Sequence, residues 1–316
     1  MKKKGLLGCS FPVVIILFIV VFAVLILGLF TGPIGNNLFH LPKWLVVSQP
    51  QVQLPSEPIF HILGFPVTNT IVSAWFTIIV LVLFFWLATR KSRLIPGRLQ
   101  ALVEAVLGWL LDLCKTVAGE KNGRRFFPVI ATIFLFVLTN SWLGLLPFFG
   151  SIIVHTPEAD VPLFRNASTD ANLPLALAIV SFCFVEYYGF KTLGFPYIKK
   201  FFNFGGFFHN AGLVIRGKIK SGFGGMVLGI VNAFIGFIEL LSELIRLVSF
   251  TFRLFGNMTA GEILLVLIMF LIPWLVVPVF YGLELLIGVI QAFIFSGLTL
   301  VFVTMATTSH SEEHSE

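Results

Sequence analysis

The segment SFTFRLFGNMTAGEILL, Ser249 to Leu265, sets Arg253 inside an apolar stretch that begins near Gly225 and runs to Val277. A guanidinium does not give up its proton, and at the centre of a membrane helix it costs about 2.5–3.5 kcal/mol on insertion scales. Such a cost is kept where a fixed positive charge at depth has a use.

The composition agrees with a membrane reading. Of the 316 residues, 57% are hydrophobic and 11% charged, against about 25% charged in ordinary soluble domains; mean hydropathy is +0.99. At about 20 residues per span, a chain of this length holds five to seven helices and little else. The three cysteines, Cys9, Cys114 and Cys183, are scattered and lack CxxC spacing, so neither a disulfide framework nor a thiolate metal site is expected.

Working outward from Arg253, the run from Gly225 to about residue 271 would form a helix of about 70 Å. That is more than twice the hydrocarbon thickness, so it must tilt steeply or bend, or else split at Phe255-Gly256-Asn257. Residues 278–307 form its partner. Upstream, residues 11–30, 70–89, 126–149 and 173–193 each read as a span. Between the second and third, Leu99, Leu102, Val103, Val106, Leu107, Leu110, Leu111 and Cys114 recur at helical spacing among charges, the pattern of an interfacial helix. The expected fold is an all-α integral membrane protein with about six transmembrane helices. It includes a long, steeply tilted helix pair near the C-terminus and the interfacial amphipathic helix. The segments are 1–66 (an extra span and an external loop), 67–307 (the membrane domain) and 308–316 (an acidic tail).

Charge sets the orientation. With the Lys-rich N-terminus inside and one crossing by the long helix, inside loops hold 17 of the 21 Lys and Arg, and outside loops hold only Lys43 and Arg165. Every loop then obeys the positive-inside rule. Splitting the long helix would also satisfy it, moving only the acidic tail outside.

On the long helix, Glu239, Arg246, Arg253 and Asn257 fall within about 40° of one another and Glu243 lies about 80° from Arg253, which makes a polar stripe. Glu284 and Gln291, seven residues apart, share a face of the last helix. Pairing these helices antiparallel with Arg253 level with Gln291 puts Glu262 about 13.5 Å and Glu284 about 10.5 Å toward the outside, nearly one depth. Two carboxyls at one level in low dielectric cannot both ionise easily, so one is expected to hold and exchange a proton near neutral pH. Snorkelling or capping accounts for a lone intramembrane polar group more readily than for Arg253, Asn257, Glu262, Glu284 and Gln291 together.

RLFGNMTAGE (Arg253 to Glu262), QAFIFSGLTLVFVTMA (Gln291 to Ala306), TNSWLGLLP (Thr139 to Pro147) and TDANLPLALA (Thr169 to Ala178) carry a close resemblance to subunit a of the F-type ATP synthase. The resemblance implies a non-catalytic stator in a bacterial inner membrane, through which ions, protons by expectation, pass to a rotating ring of c subunits. It implies that Arg253 faces the ring, with Asn257 and Gln291 beside it. Glu262 and Glu284 would line the outer half-channel, with Asp170 and Asn172 in its outer part. Asn140, Glu239, Glu243 and Arg246 are further candidates for lining. The implied partners are the c-ring, b-type peripheral stalk subunits, the other subunits of the synthase and membrane lipid, with no nucleic acid. No cofactor or metal is expected. It also favours the single tilted helix over the split. Family members often carry histidine at one position of the polar pair; here both are glutamate, which favours a carboxyl pair. The span at residues 11–30 has no counterpart in the family core. An independent secondary ion-coupled transporter is the alternative.

Both termini are therefore expected in the cytoplasm. A cysteine placed at His310 should resist a membrane-impermeant thiol reagent applied from outside, and strong labelling from that side would reject the single long crossing.

Overall fold

The structure is a computed structural model. It describes residues 15–16, 18–24, 26, 56–62, 64–90, 95–155, 160–194, 197, 219–271 and 276–308, with backbone only at 219–227. In chain order, β1 (Pro58–Ile62) and β2 (Phe65–Thr68) precede α1 (Asn69–Thr89) and α2 (Arg98–Gly144). Then come β3 (Ile153–His155), β4 (Asp160–Pro162), α3 (Asn172–Leu193), α4 (Ile219–Leu271) and α5 (Val277–Thr307). Five helices among the described residues are long and apolar enough to cross a membrane. Within the expected first span, residues 15–16, 18–24 and 26 are helical; the remainder of 11–30 lies outside the described residues, as does the acidic tail beyond residue 308.

α4 is one uninterrupted helix of 53 residues with no turn at Phe255-Gly256-Asn257, about 80 Å long at 1.5 Å per residue. Apolar side chains propagate a helix well, and inside hydrocarbon every backbone N–H and C=O must find its partner within the segment. A break at Gly256 would strand several such groups.

The expected amphipathic helix is the first arm of α2. Gly119 adopts φ 78°, ψ 164° inside that element, a conformation open to glycine because it lacks a Cβ, and the chain folds back there. A Cβ on Gly123 would lie 2.6 Å from the Cys114 carbonyl oxygen, so the two arms meet backbone to backbone. Val103, Leu110 and Cys114 are buried while Leu99 and Leu102 are more than half exposed. The buried face is thus narrower than the periodicity implied, because the returning arm covers one side only. That arm ends at Gly144, five residues before the expected Phe149.

Two short antiparallel hairpins, β1–β2 and β3–β4, interrupt the all-α expectation. Both form in stretches read from sequence as loops, where they pair backbone groups locally.

The chain forms two compact, interleaved units. The first takes residues up to Phe76, Thr139–Asp170 and Gly256–Ile290. Here Asn140, at the end of α2, donates from Nδ2 to Asn166 Oδ1 (3.1 Å) and Ser168 Oγ (2.7 Å), fixing the 3-10 turn Ala167–Thr169. Thr70 Oγ1 donates to Asp170 Oδ2 (3.0 Å), and Trp142 Nε1 donates to the Leu285 carbonyl (3.1 Å). The Phe76 ring packs on Phe148, Phe149 and Phe164. The second unit takes Thr77–Leu138, Ala171–Phe255 and the chain from Gln291. Its core joins Cys114, Phe126, Ile130, Val185, Leu300 and Val303, and a buried hydrogen bond joins Ser181 and Thr299 (2.7 Å).

The backbone contact at Gly123 makes a specific demand. Gly123→Ala should destabilise the purified chain by about 1–3 kcal/mol, the usual cost of overpacking against atoms that cannot yield. Gly108→Ala, whose Cβ would meet nothing within 4 Å, should be neutral or stabilising by up to about 1 kcal/mol. Thermal denaturation in detergent distinguishes them, and equal midpoints would reject the close hairpin.

Candidate functional site

The first unit holds a partly open cavity of about 420 Å³ whose wall mixes apolar side chains with polar and charged ones. Its wall draws on the residue before β1 (Glu57), the start of α1 (Asn69), the end of α2 (Ser141, Gly144) and the β4 region (Asp160, Arg165, Asn166). α4 contributes Glu262, and α5 contributes Tyr281 and Glu284. The two carboxyls that the sequence set at one depth therefore share a chamber. Glu284 is 5% exposed. α4 and α5 approach closely here because residue 261 is glycine. A Cβ on Gly261 would overlap the Glu284 carboxylate. On the other side of α5, a Cβ on Gly288 would touch Ser141.

Arg165 also enters this chamber. Its Nε lies 3.3 Å from Glu262 Oε1, with the Arg165 side chain 10% exposed. In the sequence it is one of two outside basic residues, and nothing in its spacing connects it with Glu262, 97 positions away. Several buried polar atoms on the wall have no hydrogen-bond partner among the described residues: Glu57 Oε2, both side-chain polar atoms of Asn69, Glu262 Oε2 and Glu284 Oε1. Buried groups of this kind are ordinarily satisfied by water, and a chamber of this volume admits several molecules.

Asp170 is held by Thr70 at the first unit's edge. Asn140 is buried in the clasp on Asn166 and Ser168, so its side chain secures the segment that carries Arg165.

In the second unit, Arg253 is half-buried, its guanidinium 6.0 Å from the Phe250 ring centroid. Among the described residues no carboxylate pairs with it. Phe250 is set in turn against Phe295 (4.9 Å) and Phe302 (5.8 Å) of α5. Gln291 is 7% exposed, while Asn172, first residue of α3, is exposed. Glu243 and Arg246 meet each other, Nη1 to Oε2 at 2.7 Å, and the Arg246 guanidinium lies 3.9 Å from the Phe302 centroid. This is an ion pair backed by a cation–π contact. Glu239, one helical turn before Glu243, is half-buried.

Sequence reasoning also passed over Glu186 and Tyr197. The Tyr197 hydroxyl donates to Glu186 Oε1 (3.3 Å). Burial, then the charge of Glu186, pushes its proton affinity up. The available signal was Glu186 itself, a carboxylate within an apolar span. Among the described residues no group of three His, Cys, Asp or Glu could hold a metal ion.

Comparison with known proteins accords with these features. The family described as ATP synthase A chain matches residues 70–304. ATP synthase subunit a of Gloeobacter violaceus is 29% identical over 246 residues, covering 78% of this chain and 86% of the relative. ATP synthase subunit a 3 of Pelobacter propionicus is 33% identical over 229 residues, with 72% and 83% covered. That of Moorella thermoacetica is 28% identical over 255 residues, with 80% and 96% covered. The match begins at the second residue of α1 and ends near the end of α5, taking in both units and all five long helices, and the chain therefore belongs to the ATP synthase A chain family.

Proposed function

We propose that the cavity of the first unit is the outer half-channel of an ion-translocating stator, and that Arg253 is the fixed charge separating it from an inner half-channel. Membership of the ATP synthase subunit a family implies an ion-translocating role in the membrane sector, without catalysis by this chain. The observation that carries the finer reading is the chamber holding Glu262 and Glu284 together, with buried polar atoms that call for water. A hydrated pocket walled by carboxyls is a proton reservoir; an apolar packed one is not.

Arg253 supports the reading in a different way. Its charge has no carboxylate partner among the described residues. On α4 it is flanked on one face by Ser249, Gly256, Asn257 and Ala260, all exposed. Small side chains let another helix approach to backbone distance, so a carboxylate on a neighbouring subunit could reach the guanidinium. The partner of that description is the rotor ring of c subunits. Glu262 lies nine residues along α4 from Arg253, and Gln291 follows Glu284 by two turns on α5. A ring carboxylate entering from either side is held as the anion near Arg253 and takes or gives its proton in the adjoining half-channel. A bare proton does not pass a guanidinium, so flow is obliged to turn the ring. Each charge moved through 100 mV releases about 2.3 kcal/mol. Peripheral stalk subunits of b type are the stator contacts this role requires, and a bacterial inner membrane with both termini cytoplasmic is its setting.

Arg253→Ala should leave an assembled complex without proton-driven ATP synthesis, because neither alanine nor water supplies an undischargeable cation. Normal synthesis in assembled Arg253→Ala complexes would overturn the role given to it.

Glu284→Gln should slow proton-driven synthesis on the order of 10²-fold, the lower range for loss of a positioned proton-transfer group. Passive proton conductance should stay at background, since Arg253 remains. The Glu262→Gln/Glu284→Gln double variant should be little slower than the worse single variant, because both carboxyls serve one chamber. Flux measured against outside pH in reconstituted complexes is the check; multiplied defects would mean two independent stations.

A further inference from the structure

The geometry points to a division of labour in the cavity: Arg165 is a positioning residue that clamps Glu262 as a fixed carboxylate, leaving Glu284 as the group that takes up and hands on the proton. This rests on the reading of the cavity as an outer half-channel, and it replaces the expectation of two equivalent carboxyls sharing one proton.

Arg165 is held from several sides. Its backbone N–H donates to Ser73 Oγ (3.0 Å). Its predecessor Phe164 stacks between Phe76 (5.1 Å) and Phe149 (5.3 Å). Its successor Asn166 accepts from Asn140 and from the Ser168 N–H. Asn166 also lies so close to α2 that a Cβ on Gly144 would stand 2.7 Å from its Nδ2. A loop fixed in this way delivers the guanidinium to one place, and the carboxylate there is Glu262.

The two glutamates differ in what surrounds them. Glu262 has a permanent cation at 3.3 Å and a side chain 38% exposed. Glu284 is 5% exposed, has no cation within ion-pair distance among the described residues, and its Oε1 meets no donor. The positive partner within reach of Glu284 is a proton. The other titratable groups facing the chamber are Glu57, whose Oε2 is buried, Asp160, bonded to His155 Nδ1 at 2.5 Å, and Tyr281. Among the described residues Arg165 is the one cation on a wall that carries four carboxyls. With it in place Glu262 is engaged by a cation at 3.3 Å, and the buried glutamate against α4 is the carboxyl left to receive a proton entering the chamber.

The test uses the assembled synthase in liposomes, with proton-driven ATP synthesis measured against outside pH. Arg165→Gln should slow synthesis about three- to tenfold, as expected for breaking a partly buried ion pair. It should also move the midpoint of the outside-pH dependence upward, because Glu262 then competes for the proton. Arg165→Lys, which keeps the charge, should recover most of the rate. Arg165→Gln combined with Glu262→Gln should be no slower than Glu262→Gln alone. An unmoved midpoint, or a double defect equal to the product of the singles, would overturn the assignment. If Arg165→Gln lowers the amount of complex, the exchanged pair Arg165→Glu/Glu262→Arg decides: it should outperform Arg165→Glu alone, and equal rates reject the clamp. Normal synthesis with Glu284→Gln would remove the half-channel reading itself. Normal synthesis with Arg165→Gln beside a slow Glu284→Gln removes only the role given to Arg165.

Discussion

Carrying charge into hydrocarbon is the constraint on which the rest of this molecule turns. Water cannot solvate a group there, so each charged side chain must find a partner, sit on a wetted wall or meet another subunit. Arg246 has Glu243 and the Phe302 ring. Arg165 has Glu262. Arg253 has an aromatic neighbour and no carboxylate among the described residues. These three arginines, each half-buried, thus differ, and the difference is made by what each one faces.

Where the chain needs groups in close contact, it removes side chains to obtain it. Gly261 lets the Glu284 carboxylate lie directly against α4, and Gly144 lets Asn166 lie against α2. Gly261 is inside a helix, where glycine costs up to about 1 kcal/mol relative to alanine. That cost is offset by contacts a Cβ would exclude, and those contacts form the chamber wall and the support behind Arg165. Polar geometry in this protein is therefore set as much by absent side chains as by present ones.

The chamber's chemistry follows from unequal surroundings and not from residue type. Glu262 and Glu284 are the same side chain at nearly the same expected depth. One sits opposite a guanidinium held by a tightly bonded loop, and the other is buried against the backbone of a neighbouring helix. Low dielectric amplifies such differences, because each local charge is felt at greater strength than in water. Two identical carboxyls can then play different parts without histidine.

The sequence by itself determined the helices, their order and the intramembrane polar residues, because helical periodicity and the cost of polar groups in hydrocarbon are local properties read directly from residue spacing. It also led to the expectation that Glu262 and Glu284 come together, from the rise per residue along two antiparallel helices, and both line one cavity. Four things were decided only by tertiary structure. The arm before Gly119 packs back on its successor, because a glycine with positive φ and a second glycine at 123 permit a tight return that periodicity does not reveal. Segments read as loops pair into hairpins, because strand pairing depends on what a segment meets. Asn140 is spent on securing a turn. Arg165 reaches Glu262 across 97 residues because the β4 loop is folded over the ends of α1 and α2, and long-range pairing of that kind leaves no periodic trace in a single chain.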